Sequence, residues 1–293
     1  MKNKKILITG GAGFVGTNLI KKILKETKYK IISLDNYSSG SKKNHIKNSR
    51  IKYVIGNTVD IDKLIKTPHE IKTVFHFGEF ARIYQSFLKM NECIRSNSVG
   101  SNSIFNFCLK NKIKLVYSAT SASLGNKGKD KNLSPYAFTK AKNLELLENL
   151  KKWFNFKYEV IYFYNVYGPH QICKGQMSTV IGIFEDHFKR KKPLPVVKPG
   201  TQSRRFTHID DTINICFLAW RKNLCRHYSI SNKKSYSILE VAKLFDSKFK
   251  FLPKRAGERY ASALSNNNLS NKIYKYFGKI SLKKYIQEFV KKN

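Results

Sequence analysis

Tyr136 and Lys140 stand four residues apart in the segment SPYAFTK, residues 134–140. On a helix that spacing puts a phenol and an ammonium on one face, one turn apart. Such a pair can accept a proton: a free tyrosine has a pKa of about 10, and a neighbouring positive charge favours the phenolate. The same residues also read as an ordinary helix start, with Ser134 as N-cap and Pro135 at the first helical position, where no N–H is required. The pair by itself does not separate chemistry from the chance spacing of a lysine-rich helix.

The segment TGGAGFVG carries a second chemistry. Gly10, Gly13 and Gly16 form G-x-x-G-x-x-G directly after an apolar run and at the opening of a helix, and Asp35 ends the next apolar run. Glycines there let backbone approach a pyrophosphate at a helix N-terminus, and an acidic residue about 20 positions on accepts hydrogen bonds from the adenosine ribose. The pattern predicts dinucleotide binding rather than a merely tight strand–helix turn. It predicts NAD, because a carboxylate at Asp35 repels the 2′-phosphate of NADP.

The elements that must hold these residues alternate. Apolar strands are expected at 5–9, 30–35, 52–57, 73–77, 114–119 and 158–163, with helical stretches between most of them and a helix starting at Ser134. That order predicts an α/β Rossmann-type, doubly wound parallel sheet with helices on both faces. Beyond Gly168 the texture changes to clustered Pro, Gly and Lys with short helices around 178–190, 237–248 and 281–292. We expect a cofactor-binding domain over 1–167, to which the segment around 204–222 returns, and a smaller, partly interleaved α/β substrate lobe over 168–293.

At 293 residues the chain can bury a substantial core, and 41% hydrophobic content fits a folded soluble protein. No run reaches the roughly 18 apolar residues that span a bilayer, and the N-terminus enters strand and Gly-rich loop at once, so no membrane association and a cytoplasmic location are expected. The five cysteines are scattered without a C-x-x-C pair, which signals neither a disulfide framework nor a metal site. The balance of 56 Lys+Arg against 19 Asp+Glu, a net +37, suits nucleic acid or an acidic membrane surface. Its even spread along the chain instead favours the compositional bias of an A/T-rich coding sequence. A rival reading follows from that charge: a catalytically silent Rossmann protein that binds nucleic acid, recognisable by affinity falling steeply with salt and by no turnover of any sugar.

The two motifs together resemble the extended short-chain dehydrogenase/reductase family, and within it the nucleotide-sugar epimerase and dehydratase branch. The resemblance runs through LDNYSSG (34–40), VFHFGEFARIYQS (74–86), NSVG (97–100), SATSASLG (118–125), YNVYGP (164–169), QSRRFTHIDD (202–211) and KRAGE (254–258). It implies a catalytic set of Tyr136, Lys140 and Thr120, with Tyr136 taking the proton of a sugar hydroxyl, Lys140 holding the nicotinamide ribose and Thr120 bonding the reacting oxygen. It implies a cofactor set of Gly10, Gly13, Phe14, Val15, Gly16, Asp35, Asn36, Asn57, Thr58, Phe77, Gly78, Asn97 and Ser118, together with Tyr136 and Lys140. For a nucleotide-diphosphate sugar substrate it implies Thr120, Asn165, Arg204 and Arg255, the two arginines forking onto the diphosphate. It also implies a homodimer through the helices near 87–110 and 135–155.

The octapeptide SATSASLG discriminates among reactions. Sugar dehydratases of this branch carry Asp-Glu directly after the threonine; here the positions are Ser121 and Ala122. Elimination of water lacks its acid and base, which leaves oxidation at C4 to a ketone and hydride return to the opposite face, a 4-epimerisation. A C4 reductase or another ketosugar-forming enzyme is the alternative. Several positions depart from the family pattern. Glu79 stands in a usually small, apolar loop and either recognises an amino or hydroxyl group of the sugar or pairs with Arg82. Asn57 replaces a usual Asp, Leu124 a usual Tyr and Arg205 a usual Asp, and the loop between Gly125 and Pro135 is short.

Overall fold

A computed structural model of the chain describes residues 4–124, 132–257 and 273–293. Gly125, most of the loop from it to Pro135, and Glu258 of the KRAGE segment lie outside the described residues.

The first half builds six strands: β1 (Lys5–Thr9), β2 (Lys30–Asp35), β3 (Ile51–Ile55), β4 (Ile71–His76), β5 (Lys114–Thr120) and β6 (Tyr158–Phe163). Between them run α1 (Phe14–Glu26), α2 (Ile61–Leu64), α3 (Ile83–Leu88), α4 (Met90–Ile94), α5 (Ser101–Lys110) and α6 (Pro135–Phe154), with a π-helical turn, Arg95–Gly100, joining α4 to α5. The second half adds β7 (Val166–Tyr167), α7 (Val180–Lys189), β8 (Leu194–Val197), β9 (Ser203–Arg205), β10 (Thr207–His208) and α8 (Ile209–Lys222). It continues with β11 (His227–Ser231), β12 (Ser235–Ser237), α9 (Ile238–Leu244), β13 (Phe249–Leu252), β14 (Ile273–Phe277) and α10 (Leu282–Lys292).

Eight strands form one sheet in the order β14-β11-β6-β5-β4-β1-β2-β3. Every neighbouring pair in it is parallel. The fold is therefore the expected Rossmann-type sheet, and it is wider than six strands. β14 reads IYKYF, with three of its five residues exposed, and β11 reads HYSIS, so neither shows the continuous apolar run of a central strand.

Alternation along the strands explains the layers. On β1, Leu7 joins one core with Phe105, Phe107 and Leu147, from α5 and α6. Its neighbours Ile6 and Ile8 join the opposite core with Leu19, Ile20 and Ile23 of α1 and Ile213, Phe217 and Trp220 of α8. A third core, around Phe184, Leu194, Val196, Phe245 and Ile286, belongs to α7, α9, α10 and β8. The sheet order reverses between β1, which leads to β2 and β3, and β4, which leads to β5 and β6. Loops leaving the C-terminal ends of such strands part at that switch point and open the crevice in which doubly wound folds bind ligands.

Candidate active site

SPYAFTK starts a helix, and that helix carries Tyr136 and Lys140 on one buried face. The Ser134 hydroxyl caps α6 by accepting from the Ala137 N–H at 3.1 Å, and Pro135 begins the helix. The cap aims a buried face of α6, including Tyr136, Lys140, Asn143 and Leu147, at the sheet. Three of those four side chains are polar, and burial forces each to find a partner.

Tyr136 hydrogen-bonds the Thr120 hydroxyl at the end of β5. Burial pushes its phenol up to about 12, and the bond to Thr120 pulls the other way. The first turn of α6 is fixed from the other side, because the Tyr136 N–H donates to the Ser86 hydroxyl of α3 at 3.2 Å. The Thr120 hydroxyl accepts from the Ala122 N–H at 3.2 Å. Lys140 lies one turn along the same face, 4.6 Å over the Tyr117 ring, and donates to the Ser118 carbonyl at 2.5 Å. Thr120, Tyr136 and Lys140 thus converge where β5 ends and α6 begins.

Glu79 meets Lys140 there, and this corrects the sequence expectation for it. Its carboxylate forms an ion pair with Lys140 rather than facing a sugar or Arg82. Its other oxygen accepts from Ser101 at 2.8 Å, Tyr117 at 3.0 Å and Asn143 at 3.4 Å. Only 2% of its side chain is exposed. Arg82 instead donates to the carbonyls of Ala81, Met177 and Ser178, tying the loop after β4 to the segment ahead of α7, and its charge lowers the Tyr136 phenol.

The Gly-rich turn and Asp35, expected to hold the cofactor, lie at the switch point. Gly13 is the N-cap of α1 and offers no side-chain cap, so the N–H groups of the first turn, Phe14, Val15 and Gly16, remain for an anion. At Gly10, φ is +68°, and a Cβ would sit 2.8 Å from the Gly78 nitrogen. The β1–α1 turn and the loop after β4 therefore touch backbone to backbone. Asp35 accepts from the Ala12 N–H at 2.9 Å and the Tyr37 N–H at 2.8 Å, which fixes the carboxylate at the tip of β2 beside the Gly-rich turn. A bare helix start, a turn with no room for a side chain and an oriented carboxylate fit the pyrophosphate and ribose of NAD.

The remaining expected residues fall into two groups. Asn36 donates to Asn57 at 2.7 Å, Thr58 abuts Gly100 of the π turn, and Phe77 and Gly78 are pinned through their N–H groups to Thr9 of β1. These sit on the loops that rim the crevice. Asn97 and Ser118 work from behind it: Asn97 clamps the Phe80 N–H and C=O at 2.7 and 3.0 Å, and the Ser118 hydroxyl donates to the His76 carbonyl at 2.9 Å. On the substrate side, Asn165 takes a φ of +36° and donates to the Arg205 carbonyl at 3.1 Å. Arg204 is buried in β9, while exposed Arg255 lies 5.1 Å over the Tyr84 ring of α3. The sequence reading missed Tyr117, Ser101 and Asn143 around Glu79. Asn143 had a signal: three residues after Lys140, it shares that helix face.

Comparison with known proteins agrees with this geometry. Residues 6–231 match the NAD dependent epimerase/dehydratase family. The ADP-L-glycero-D-manno-heptose-6-epimerase of Brachyspira hyodysenteriae is 26% identical, over 84% of this chain and 81% of that protein. The UDP-glucuronic acid decarboxylase 3 of Arabidopsis thaliana is 26% identical over 82% and 73%. Among solved structures, the UDP-glucose 4-epimerase of Thermotoga maritima superposes with a TM-score of 0.84 at 24% identity, covering 98% of this chain and 97% of that one. The chain is therefore a member of the NAD-dependent epimerase/dehydratase family, with NAD as its cofactor.

Proposed function

We propose that this chain is a nucleotide-sugar 4-epimerase. The observation that carries the reading is the convergence of Thr120, Tyr136 and Lys140 with no carboxylate following Thr120. Ser121 and Ala122 stand where elimination would need an acid and a base, and Glu79, the carboxylate that does reach this place, is bound into an ion pair. Bound NAD supplies the acceptor and donor of hydride. Tyr136 takes the proton of the C4 hydroxyl and later returns it, Thr120 holds that oxygen, and Lys140 holds the cofactor ribose. Arg255 holds the diphosphate from the smaller lobe, mainly residues 168–293, together with Arg204 and Asn165 from the segments around 204–222 and 164–169 that join it to the cofactor lobe of residues 1–167.

We further propose a homodimer. Leu88, Met90, Val99, Phe138, Trp153 and Phe154 are large exposed apolar residues carried by α3, α4, the π turn and α6. Such a group of exposed apolar side chains marks an interaction surface.

The deciding experiment mixes the purified protein with UDP-, GDP- and dTDP-sugars and follows each by NMR, with absorbance at 340 nm in parallel. One sugar equilibrating with its C4 epimer without net NADH supports the epimerase. Stoichiometric NADH formation or consumption identifies the reductase instead, and loss of water from the sugar overturns the argument from Ser121 and Ala122.

A further inference from the structure

The Glu79 carboxylate ends a chain of donors whose directions can be assigned. Thr9 Oγ1 lies 2.7 Å from His76 Nδ1, His76 Nε2 lies 3.0 Å from Ser101 Oγ, and the Ser101 hydroxyl donates to Glu79 Oε1. With that donor spent on Glu79, Ser101 accepts from His76 Nε2–H, and Nδ1 accepts from Thr9. Tyr117 and Asn143 donate to the same carboxylate oxygen, and Lys140 to the other. Ser101, Tyr117 and Lys140 each give a hydrogen to this one buried acid, with the Asn143 amide beside them at 3.4 Å, so its oxygens act as acceptors on every side that the described residues occupy. Asn143 closes the cluster by donating to the Tyr117 hydroxyl and the Asn97 carbonyl, at 3.0 and 2.7 Å.

Lys140 needs such a partner. Its side chain is 4% exposed, and an ammonium taken out of water is costly unless paired. Burial lowers its pKa and Glu79 opposes that fall. Two of its three N–H donors are spent on Glu79 and the Ser118 carbonyl, which leaves the third for the cofactor ribose.

We propose that Glu79 is a positioning residue that keeps Lys140 charged and holds it in place beneath the nicotinamide ribose. Lys140 as the ribose ligand rests on the reading under Proposed function; the charge-holding role of Glu79 does not.

Removing the carboxylate has two consequences of opposite sign in pH. In Glu79→Gln, burial acts on Lys140 unopposed, and its folded pKa, already lowered in the wild type, falls further below the unfolded value of about 10.4. The unfolded chain then binds more protons than the folded one between those two values, so stability rises with pH there. The deficit relative to the wild type is therefore fully present at low pH and shrinks as pH rises through the lowered pKa. Affinity for NAD moves the other way, because rising pH replaces a charged donor by a neutral one, a difference on the order of tenfold. The other titratable groups facing the pair stay out of this window. His76 is lowered to about 4, Cys93 of α4 is raised to about 11, Tyr136 to about 12 and Tyr117 well above its ordinary value, each chiefly by burial.

The test compares the full-length wild type with Glu79→Gln, Lys140→Met and the double variant. Thermal unfolding of the cofactor-free proteins and calorimetric NAD binding are each followed from about pH 6.5 to about pH 9.5. The proposal expects a Glu79→Gln stability deficit that narrows with pH and an NAD affinity that weakens with pH, against a flat wild-type affinity. It expects the double variant to be more stable than Glu79→Gln, because the unpaired ammonium is what costs. If Glu79→Gln does not fold at all, recovery of folding in the double variant carries the same meaning. A pH-independent deficit, or a double variant no more stable than Glu79→Gln, overturns the proposal. Lys140→Met binding NAD like the wild type overturns only the ribose contact, and the cofactor-free unfolding series still decides whether Glu79 holds the charge.

Discussion

Replacing Gly10 by alanine tests whether the cofactor turn and the loop after β4 form one unit. The residue has φ +68°, a region that costs an L-residue with a Cβ about 1–2 kcal/mol. The new Cβ would also lie 2.8 Å from the Gly78 nitrogen and 2.9 Å from the Gly78 Cα and the Phe77 carbonyl carbon. Those are backbone atoms that cannot swing aside. Moving them would break the bonds from Phe77 and Gly78 N–H to Thr9 at 3.2 and 3.0 Å, and overpacking of that kind costs about 1–3 kcal/mol more. Gly10→Ala should therefore lose about 2–5 kcal/mol in equilibrium urea unfolding. Its NAD dissociation constant should rise about tenfold or more, since the displaced loop carries Glu79 next to Gly78. Gly175 is the internal control: φ is +84°, but a Cβ there meets nothing within 4 Å. Gly175→Ala should show only the conformational cost, about 1–2 kcal/mol, with NAD affinity unchanged. If the two variants lose equal stability and both keep their NAD affinity, the backbone contact at Gly10 constrains nothing and the reasoning fails.

Further expectations follow from other contacts. Tyr136→Phe should lower kcat by about 10²–10⁴ while NAD affinity, measured by calorimetry, stays within about threefold; a variant keeping a tenth of wild-type turnover would remove Tyr136 from the base role. Because burial raises the Tyr136 phenol, wild-type kcat/KM should increase from neutral toward alkaline pH, and a profile falling over that range would contradict phenolate catalysis. Glu159, fully buried, accepts from Lys114 Nζ at 2.9 Å and from the Cys225 and Arg226 N–H groups at 2.9 and 2.7 Å. Glu159→Gln leaves Lys114 unpaired and should cost about 3–5 kcal/mol in urea unfolding, with a loss under 1 kcal/mol showing that the pair is replaceable. Val99→Arg should shift sedimentation from dimer toward monomer without altering unfolding of the protomer, and an unchanged sedimentation coefficient would place any dimer contact elsewhere.

Local chemistry in the sequence was enough for the frame of this protein. Glycine at 10, 13 and 16, an acid at 35 and apolar runs separated by helical stretches specify a strand–turn–helix with a parallel sheet, because each requirement lies within a few residues of chain. The spacing of Tyr136 and Lys140 specified their common face for the same reason, and Thr120 was placed by its position in a short segment. The two strands that the chain beyond residue 168 adds to the main sheet were not legible. β11 gains its place by pairing with β6 across a gap of more than sixty residues, and β14 by pairing with β11 at the edge of the sheet, so neither place is written in a local apolar pattern. The partners of Glu79 were decided by tertiary structure alone. Ser101, Tyr117, Lys140 and Asn143 come from three different elements, and their donors meet at one carboxylate only after β4, β5, α5 and α6 have packed. From the sequence, Glu79 had one nearby cation, Arg82, three residues away. In the folded chain that arginine is spent on the carbonyls of Met177 and Ser178, and burial, which no local pattern encodes, assigns the carboxylate to Lys140.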